Sequence, residues 1–433
     1  MNSKVVIFAT VIVGLLVGAI ILGNKDKEGI STAQSQSSEI SAKVESPLAA
    51  APMETASKLP EGAVLSPNHP PIPNIPKAVP TGQLTPPPAN ENAKFTHFRV
   101  GNRNVKSIYV DDDLVWVGTS GGVIRYEPAT DDYRLFDVRN GLLANGVFHV
   151  SRWKENKMLI GTYGGGLAVY DEVLDKFEIF NVPEGLADAF VYDVQVTPNG
   201  DMWIATWSGA NRVLGGRLDD PSAWETYTVE NTQGGLPNDW VYGLYLGIND
   251  DVWFATEGGL SHFIDGKWKS WNHKDGQGAI YDLVKNDNQF DTDPAKVSSH
   301  HARQKVEMGL EDIKTAYNPN YIVAITVDHK GIVWVGTWGG GLARFDGETF
   351  KNYTVQDGLA SNHVFMLHED KNQKLWIGTS NGMSSFDGES FKTMTTRDGL
   401  YNNAIFSMDT QKDGTLWVGS YGGVARILLN DKL

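Results

Sequence analysis

His149, Asp193, Glu257 and His363 are the residues of this 433-residue chain whose types could together hold a metal ion or move a proton. Imidazoles and carboxylates converging in threes or fours are the usual metal-binding sets, so the group raises the chemistry of a metal-dependent propeller enzyme of the lyase type. No activated nucleophile accompanies them, and His149 with Asp193 reads as a structural hydrogen bond. His300 and His301 are adjacent and lack the i, i+4 spacing of helical zinc ligands. With no Cys in the chain, disulfides, thiolate zinc, covalently attached haem and cysteine nucleophiles are excluded. The other candidates are aromatic. Tyr163, Trp207, Trp240, Tyr321, Trp338 and Tyr421 are expected to line a recognition site, with Asn104, Glu257 and His363 as its polar contacts. Rings of this kind offer large apolar faces at low entropic cost and suit sugar rings, planar molecules or a protein anchor.

A sevenfold repeat must position these residues. The strings Val115–Thr119, Met158–Thr162, Met202–Thr206, Val252–Thr256, Val333–Thr337, Leu375–Thr379 and Leu416–Ser420 share one pattern. Successive copies are spaced by 43, 44, 50, 81, 42 and 41 residues. Repeats of this period built from short strands imply a β-propeller of stacked four-stranded meanders. Within the clearest copy, four strands are expected over Val364–Glu369, Leu375–Thr379, Gly382–Phe386 and Phe391–Thr395. The last copy ends one strand short, and Phe95–Val100 matches the missing outer strand, so the fold is read as an all-β, seven-bladed propeller closed by its N-terminal strand. The loops entering the first strand and leaving the second share one face of such a ring. All nine recognition candidates belong to these loops. Gly340 and Gly341 lie between strands and read as turn glycines, not a phosphate loop.

The spacing of 81 points to an insertion at residues 275–318 in one of those loops, rather than a degenerate eighth blade. Asp293-Pro294 opens a helix pattern, and Ala302, Val306, Leu310, Ile313 and Tyr317 continue it as one apolar stripe. The insertion is expected to cover part of the channel mouth.

The strings Asp357–Val364, Leu375–Thr379 and Gly340–Gly347 resemble the two-component regulator propeller repeat, and the likeness extends over residues 94–433. The resemblance implies an extracytoplasmic, sensor-type propeller of a kind often fused to a membrane segment and a histidine kinase. The chain ends with the propeller, so the expectation is a sensor-like binding domain without its own kinase or DNA-binding output.

The first 93 residues differ in character. Val5–Gly23 is an apolar run of 19 residues, long enough for one helical membrane crossing. It runs directly into charged residues without a cleavage pattern, and so reads as an uncleaved signal anchor over residues 1–23. Residues 24–93 hold 12 of the 19 prolines and read as a disordered Pro/Ser/Ala-rich linker. Together these predict a propeller tethered to the bacterial inner membrane through residues 5–23 and facing the periplasm. The net charge of -15 argues against nucleic acid, because phosphate neutralisation needs a Lys/Arg excess. The partner is expected to be a neutral or weakly charged small molecule, a glycan or an envelope protein, with no cofactor or metal. Binding is preferred to catalysis, the alternatives being the lyase-type enzyme and an envelope assembly scaffold.

Overall fold

The computed structural model describes residues 95–428 except 248–250, 288–295, 297–301, 303, 304, 307 and 314, together with Val6–Ile7 and Ile21–Leu22. Those two dipeptides pair antiparallel. Apart from them, the expected anchor over 1–23 and linker over 24–93 lie outside the described residues. No helix among the described residues is long and apolar enough to cross a membrane.

The repeated string builds the second strand of each unit, and its threonine explains the turn that follows. Thr119 donates its hydroxyl proton to the Gly122 carbonyl at 2.9 Å, and Thr206, Thr256 and Thr379 repeat that bond three residues ahead at 2.7 to 2.8 Å. Thr162 and Thr337 reach Gly166 and Gly341, and Ser420 makes the same bond to Gly423 in the last copy. Gly122 holds a φ of 124°, and a Cβ there would collide with the Phe136 carbonyl, so only glycine closes this turn. The string's own glycine serves a different contact. A Cβ at Gly118 would lie 2.8 Å from Val147, and one at Gly161 would lie 2.9 Å from Val191. In both cases the crowding valine opens the next unit's first strand. A bare Cα lets neighbouring units approach closely, which is how the sheets stack.

Among the described residues the propagated pattern gives five four-stranded antiparallel sheets in simple meander order. A sixth sheet runs Ile405–Thr410, Leu416–Ile427, Phe95–Asp111, Leu114–Thr119, Gly122–Glu127 and Asp132–Phe136. Its two long strands serve twice. The first half of Phe95–Asp111 pairs with the second half of Leu416–Ile427, from Ile427 against Phe95 to Gly423 against Arg99. The second half pairs with Leu114–Thr119. The two ends of the chain are therefore joined by strand pairing, with no open edge between them.

The first strands of the units are Val147–Lys154, Val191–Val196, Val241–Leu246, Asn318–Val327, Val364–Glu369 and Ile405–Thr410, preceded by the second half of Phe95–Asp111. Each contacts the next, and Ile405–Thr410 returns to Phe95–Asp111, so they encircle a central channel. The core lies between sheets as separate clusters, and six of them hold a tryptophan of the repeated string. Trp116, Trp203, Trp376 and Trp417 are fully buried. Two tryptophans donate indole protons to an aspartate six residues earlier, Trp334 to Asp328 and Trp376 to Asp370, both at 2.9 Å. Such a bond satisfies the one polar atom of an otherwise apolar anchor.

Loops into the first strands share a capped turn. Thr354, for example, caps a 3-10 turn over Val355–Asp357, Asp357 bonds back to the Thr354 amide, and Gly358 follows in the left-handed region. Thr395, Asn272, Asn181 and Asp137 head equivalent capping boxes.

Within 275–318 the described residues contain no strand before Asn318, which opens the next one; they hold the short helix Tyr281–Val284, and Ala302, Lys305, Val306 and Met308 are helical, as the stripe predicts. The Asp293-Pro294 helix start lies outside the described residues. Tyr317 buries against Ala279 and Val284, with Leu310 and Ile313 beside them, whereas Val306 of the expected stripe is 59% exposed. Tyr317 donates to the Ala279 carbonyl at 2.6 Å, and Gln356 donates to the Leu283 carbonyl at 2.8 Å. The segment is thus docked onto the loop ends at its own site of insertion.

Candidate functional site

Every first strand carries an irregularity at the same place. Pairing with the second strand skips from Val105 to Ser107, Val147 to His149, Val191 to Asp193 and Val241 to Gly243. It skips likewise from Ile322 to Ala324, Val364 to Met366 and Ile405 to Ser407. These are β-bulges, in which two residues of one strand oppose one of its partner and a side chain is re-aimed. The skipped residues are Lys106, Phe148, Tyr192, Tyr242, Val323, Phe365 and Phe406, and all seven line one cavity of about 310 Å³. Since all the first strands contribute to it, this cavity is the central channel.

The bulged rings touch in series around it. Phe148 lies 4.9 Å from Tyr192, and Tyr192 lies 5.2 Å edge-on from Tyr242, by ring centroids. Tyr321 bridges the position held by Val323, 4.8 Å from Tyr242 and 5.8 Å from Trp338. Trp338 stacks on Phe365 at 5.8 Å, and Phe365 on Phe406 at 5.5 Å. Lys106 closes the series with its ammonium 4.2 Å from the Phe406 ring centre. The result is an aromatic collar with one cation in it. Each ring pair adds about 0.5–1.5 kcal/mol beyond burial and fixes the walls before anything binds.

The polar groups of the cavity fall into two kinds. His149 and Asp193 satisfy each other at 2.9 Å, His149 also meets the Ser151 hydroxyl, and Asp193 accepts from the backbone of Val194 and of Leu244 on the next unit. This pair ties units together. By contrast, the hydroxyl of Tyr192 and the side-chain oxygen of Asn104 are buried without a hydrogen-bond partner. Lys106 is partly exposed to the cavity and forms no ion pair with any described residue. Burial pushes its ammonium down to about 8. Burial also raises Tyr192, Tyr242 and Tyr321 well above the ordinary phenol value, with Glu257 adding to the rise, so their hydroxyls stay protonated.

Of the nine candidates read from the sequence, Asn104, Tyr321 and Trp338 line the cavity. Tyr163, Trp207 and Trp240 form a layer behind the collar: Tyr163 meets Phe148 and Phe190, and Trp207 packs 4.4 Å from Trp240. Glu257 is fully buried, with Tyr242 3.5 Å from its carboxylate. His363 is fully buried edge-on to Trp338, bonded to the Ala316 carbonyl of the insertion at 2.9 Å. Desolvation drives its imidazole down to about 3. Tyr421 faces Asn104 across the junction of the chain ends. Of His149, Asp193, Glu257 and His363, the first two pair at 2.9 Å, and no group of three His, Asp or Glu side chains suited to a metal occurs among the described residues.

Sequence inspection passed over Lys106, Phe148, Tyr192, Tyr242, Phe365 and Phe406. Their signal was present as an aromatic or basic residue directly after each opening Val or Ile, but strict alternation hides it. Alternation assigns that residue to a sheet face, whereas the bulge turns it toward the channel.

Sheets wound radially about a channel define a β-propeller. Residues 316–339 and 358–381 match the two component regulator propeller family, each match running through the bulged first strand and the second strand to the Gly-Thr turn. The chain is a β-propeller carrying repeats of that family. It is 37% identical over 79 residues to "Histidine kinase P4" of Formosa agariphila, a match covering 17% of this chain and 6% of that protein. Its fold is similar to the extracellular domain of a hybrid two component system from B. thetaiotaomicron, with a TM-score of 0.56 and 19% identity, over 76% of this chain and 40% of that one. It is also similar to a catalytically inactive virginiamycin B lyase from Staphylococcus aureus with quinupristin, with a TM-score of 0.55 and 12% identity, over 78% and 99%. The chain thus spans less than half the length of its sensor-type relatives.

Proposed function

We propose that this chain is a seven-bladed, extracytoplasmic propeller that recognises a small ligand in its channel collar, as a sensor-type binding protein tethered through residues 5–23. The blade count treats the six-stranded sheet as two blades sharing their long strands, which agrees with the seven repeated strings. The observation that carries the binding reading is the collar itself. Seven bulges aim one side chain each into a preformed cavity, where buried polar atoms of Tyr192 and Asn104 stand without partners. Leaving such atoms unmet costs about 1–3 kcal/mol each, a cost that a ligand supplying their bonds would recover. The likeness to a histidine kinase and to the extracellular domain of a two component system supports the extracytoplasmic, sensor-type reading.

The lyase-type alternative has less support, because the four residues it would use form no metal-binding group of three among the described residues. Native mass spectrometry of the purified full chain against an envelope metabolite extract tests the binding reading. A retained small molecule that is lost in Trp338→Ala and in Phe365→Leu is expected. Retention by both folded variants would move recognition away from the collar. Cell fractionation with protease protection tests the tether and its orientation.

A further inference from the structure

Lys106 is the only lysine or arginine among the cavity-lining residues, in a region whose overall charge is strongly negative. No carboxylate among the described residues pairs with it, and its ammonium lies against the face of Phe406. Asp193, the one acidic residue of the lining, is taken up by His149. A desolvated cation without a counter-charge is costly to keep, and it stands here among apolar walls in the same cavity lining as Tyr192, whose hydroxyl is unpartnered.

We infer that the collar takes a ring-bearing organic monocarboxylate, its carboxylate at Lys106 and its ring against the aromatic walls. This rests on the collar being the binding site and specifies the charge of what enters it. Charge matching favours one negative charge: a single lysine offsets a carboxylate, whereas a phosphate dianion would keep one uncompensated charge among apolar walls. The stem of Lys106 allows its ammonium to leave the Phe406 face for a carboxylate oxygen, and the Tyr192 hydroxyl, protonated and without an acceptor, supplies a second donor. A neutral ring compound would fill the walls and leave the cation unmatched. The net negative charge of the chain suggested a neutral ligand, but charge at the cavity wall, not on the whole surface, governs a carboxylate once it is inside.

The test is isothermal titration of the full chain in detergent with matched acid and neutral pairs: benzoate and benzyl alcohol, naphthoate and naphthylmethanol, glucuronate and glucose. Inorganic phosphate serves as the ringless anion. At least one acid should bind roughly tenfold or more tightly than its neutral partner. Lys106→Met should bring that pair within about twofold, and Tyr192→Phe should weaken the acid more than the alcohol. Circular dichroism and melting confirm that each variant is folded. Neutral compounds binding as tightly as their acids, with loss in Trp338→Ala, would overturn the charge assignment while leaving the collar as the site. An acid preference that survives in Lys106→Met, phosphate binding as tightly as the best acid, or no binding by any acid would also overturn it. The last result, if the neutral compounds are silent too, would count against the collar as well.

Discussion

The Lys106 ammonium sits 4.2 Å from the centre of the Phe406 ring, a contact between the first and last bulged strands of the ring. Two hydrogen bonds cross the same junction. Ser407 donates its hydroxyl proton to the Val105 carbonyl at 3.0 Å, and the Val110 amide donates to Asp409 at 2.7 Å. The proposed counter-charge of the ligand is therefore built on the seam between the first and last units.

The first prediction concerns the stability cost of that lysine. Burial lowers its folded value to about 8 from 10.5, so the fold disfavours its charged form. Below about pH 8 both states carry the proton and the cost is complete; between about pH 8 and pH 10.5 the folded chain has released a proton that the unfolded chain keeps. Stability contributed by this site therefore rises with pH across that window. Lys106→Met lacks the effect, so its advantage in melting temperature over the parent should be largest near neutrality and shrink toward pH 10.5. The other titratable lining groups, His149, Asp193, Tyr192, Tyr242 and Tyr321, are common to both proteins and cancel in the difference.

The seam can be opened by truncation. Removing residues 1–93 leaves the pairing of Phe95–Arg99 with Gly423–Ile427 intact, and the melting temperature should stay within a degree or two of the parent. Removing residues 1–103 strips that partner and exposes the edge of Leu416–Ile427. Earlier melting and growing light scattering are expected from the shorter form. Equal behaviour of the two truncations would show that the junction contributes nothing.

Residues behind the collar and residues within it should respond differently to substitution. Trp207 is 4% exposed and wedged among Phe190, Tyr192 and Trp240. Trp207→Ala leaves a cavity there and should cost about 3–5 kcal/mol in chemical denaturation. Tyr192→Phe keeps the ring and removes only an unpartnered hydroxyl, so it should leave stability unchanged or raise it by about 1 kcal/mol. The two variants thus separate a packing role from a binding role, read by denaturation on one side and titration on the other.

His363 should mark the acid limit of the insertion's docking. Its folded value of about 3 lies below the unfolded 6.5, because burial beside Trp338 disfavours the imidazolium. As pH falls through 6.5 the unfolded chain takes up a proton that the folded chain refuses, and stability drops, by roughly 2 kcal/mol at pH 5. His363→Gln removes the titration and should flatten the acid side of the stability profile. A parent profile as flat as the variant's between pH 7 and pH 5 would mean that His363 is not held neutral by the fold.

Much of the architecture is legible in the residues themselves, because each repeated feature answers a local demand. The string glycine leaves room for the next unit's valine, the threonine closes the following turn, and the capping box with its left-handed glycine ends each loop. These are short-range requirements, so they leave a periodic trace. The insertion was legible as a break in the period, and Asn104, Tyr321 and Trp338 as residues of one face, although they lie within strands and not in loops.

What the chain alone could not reveal is which side chains meet in the middle. The sequence by itself determined the repeat, the strand order within each unit and the match between Phe95–Val100 and the missing outer strand, since propensity, turn chemistry and sterics act over a few residues. Tertiary structure decided the rest. Only winding the units about one axis brings Lys106 to Phe406 across 300 residues of chain, and only the bulge, which alternation along a single strand cannot express, turns Tyr192 and its six equivalents from a sheet face into the channel.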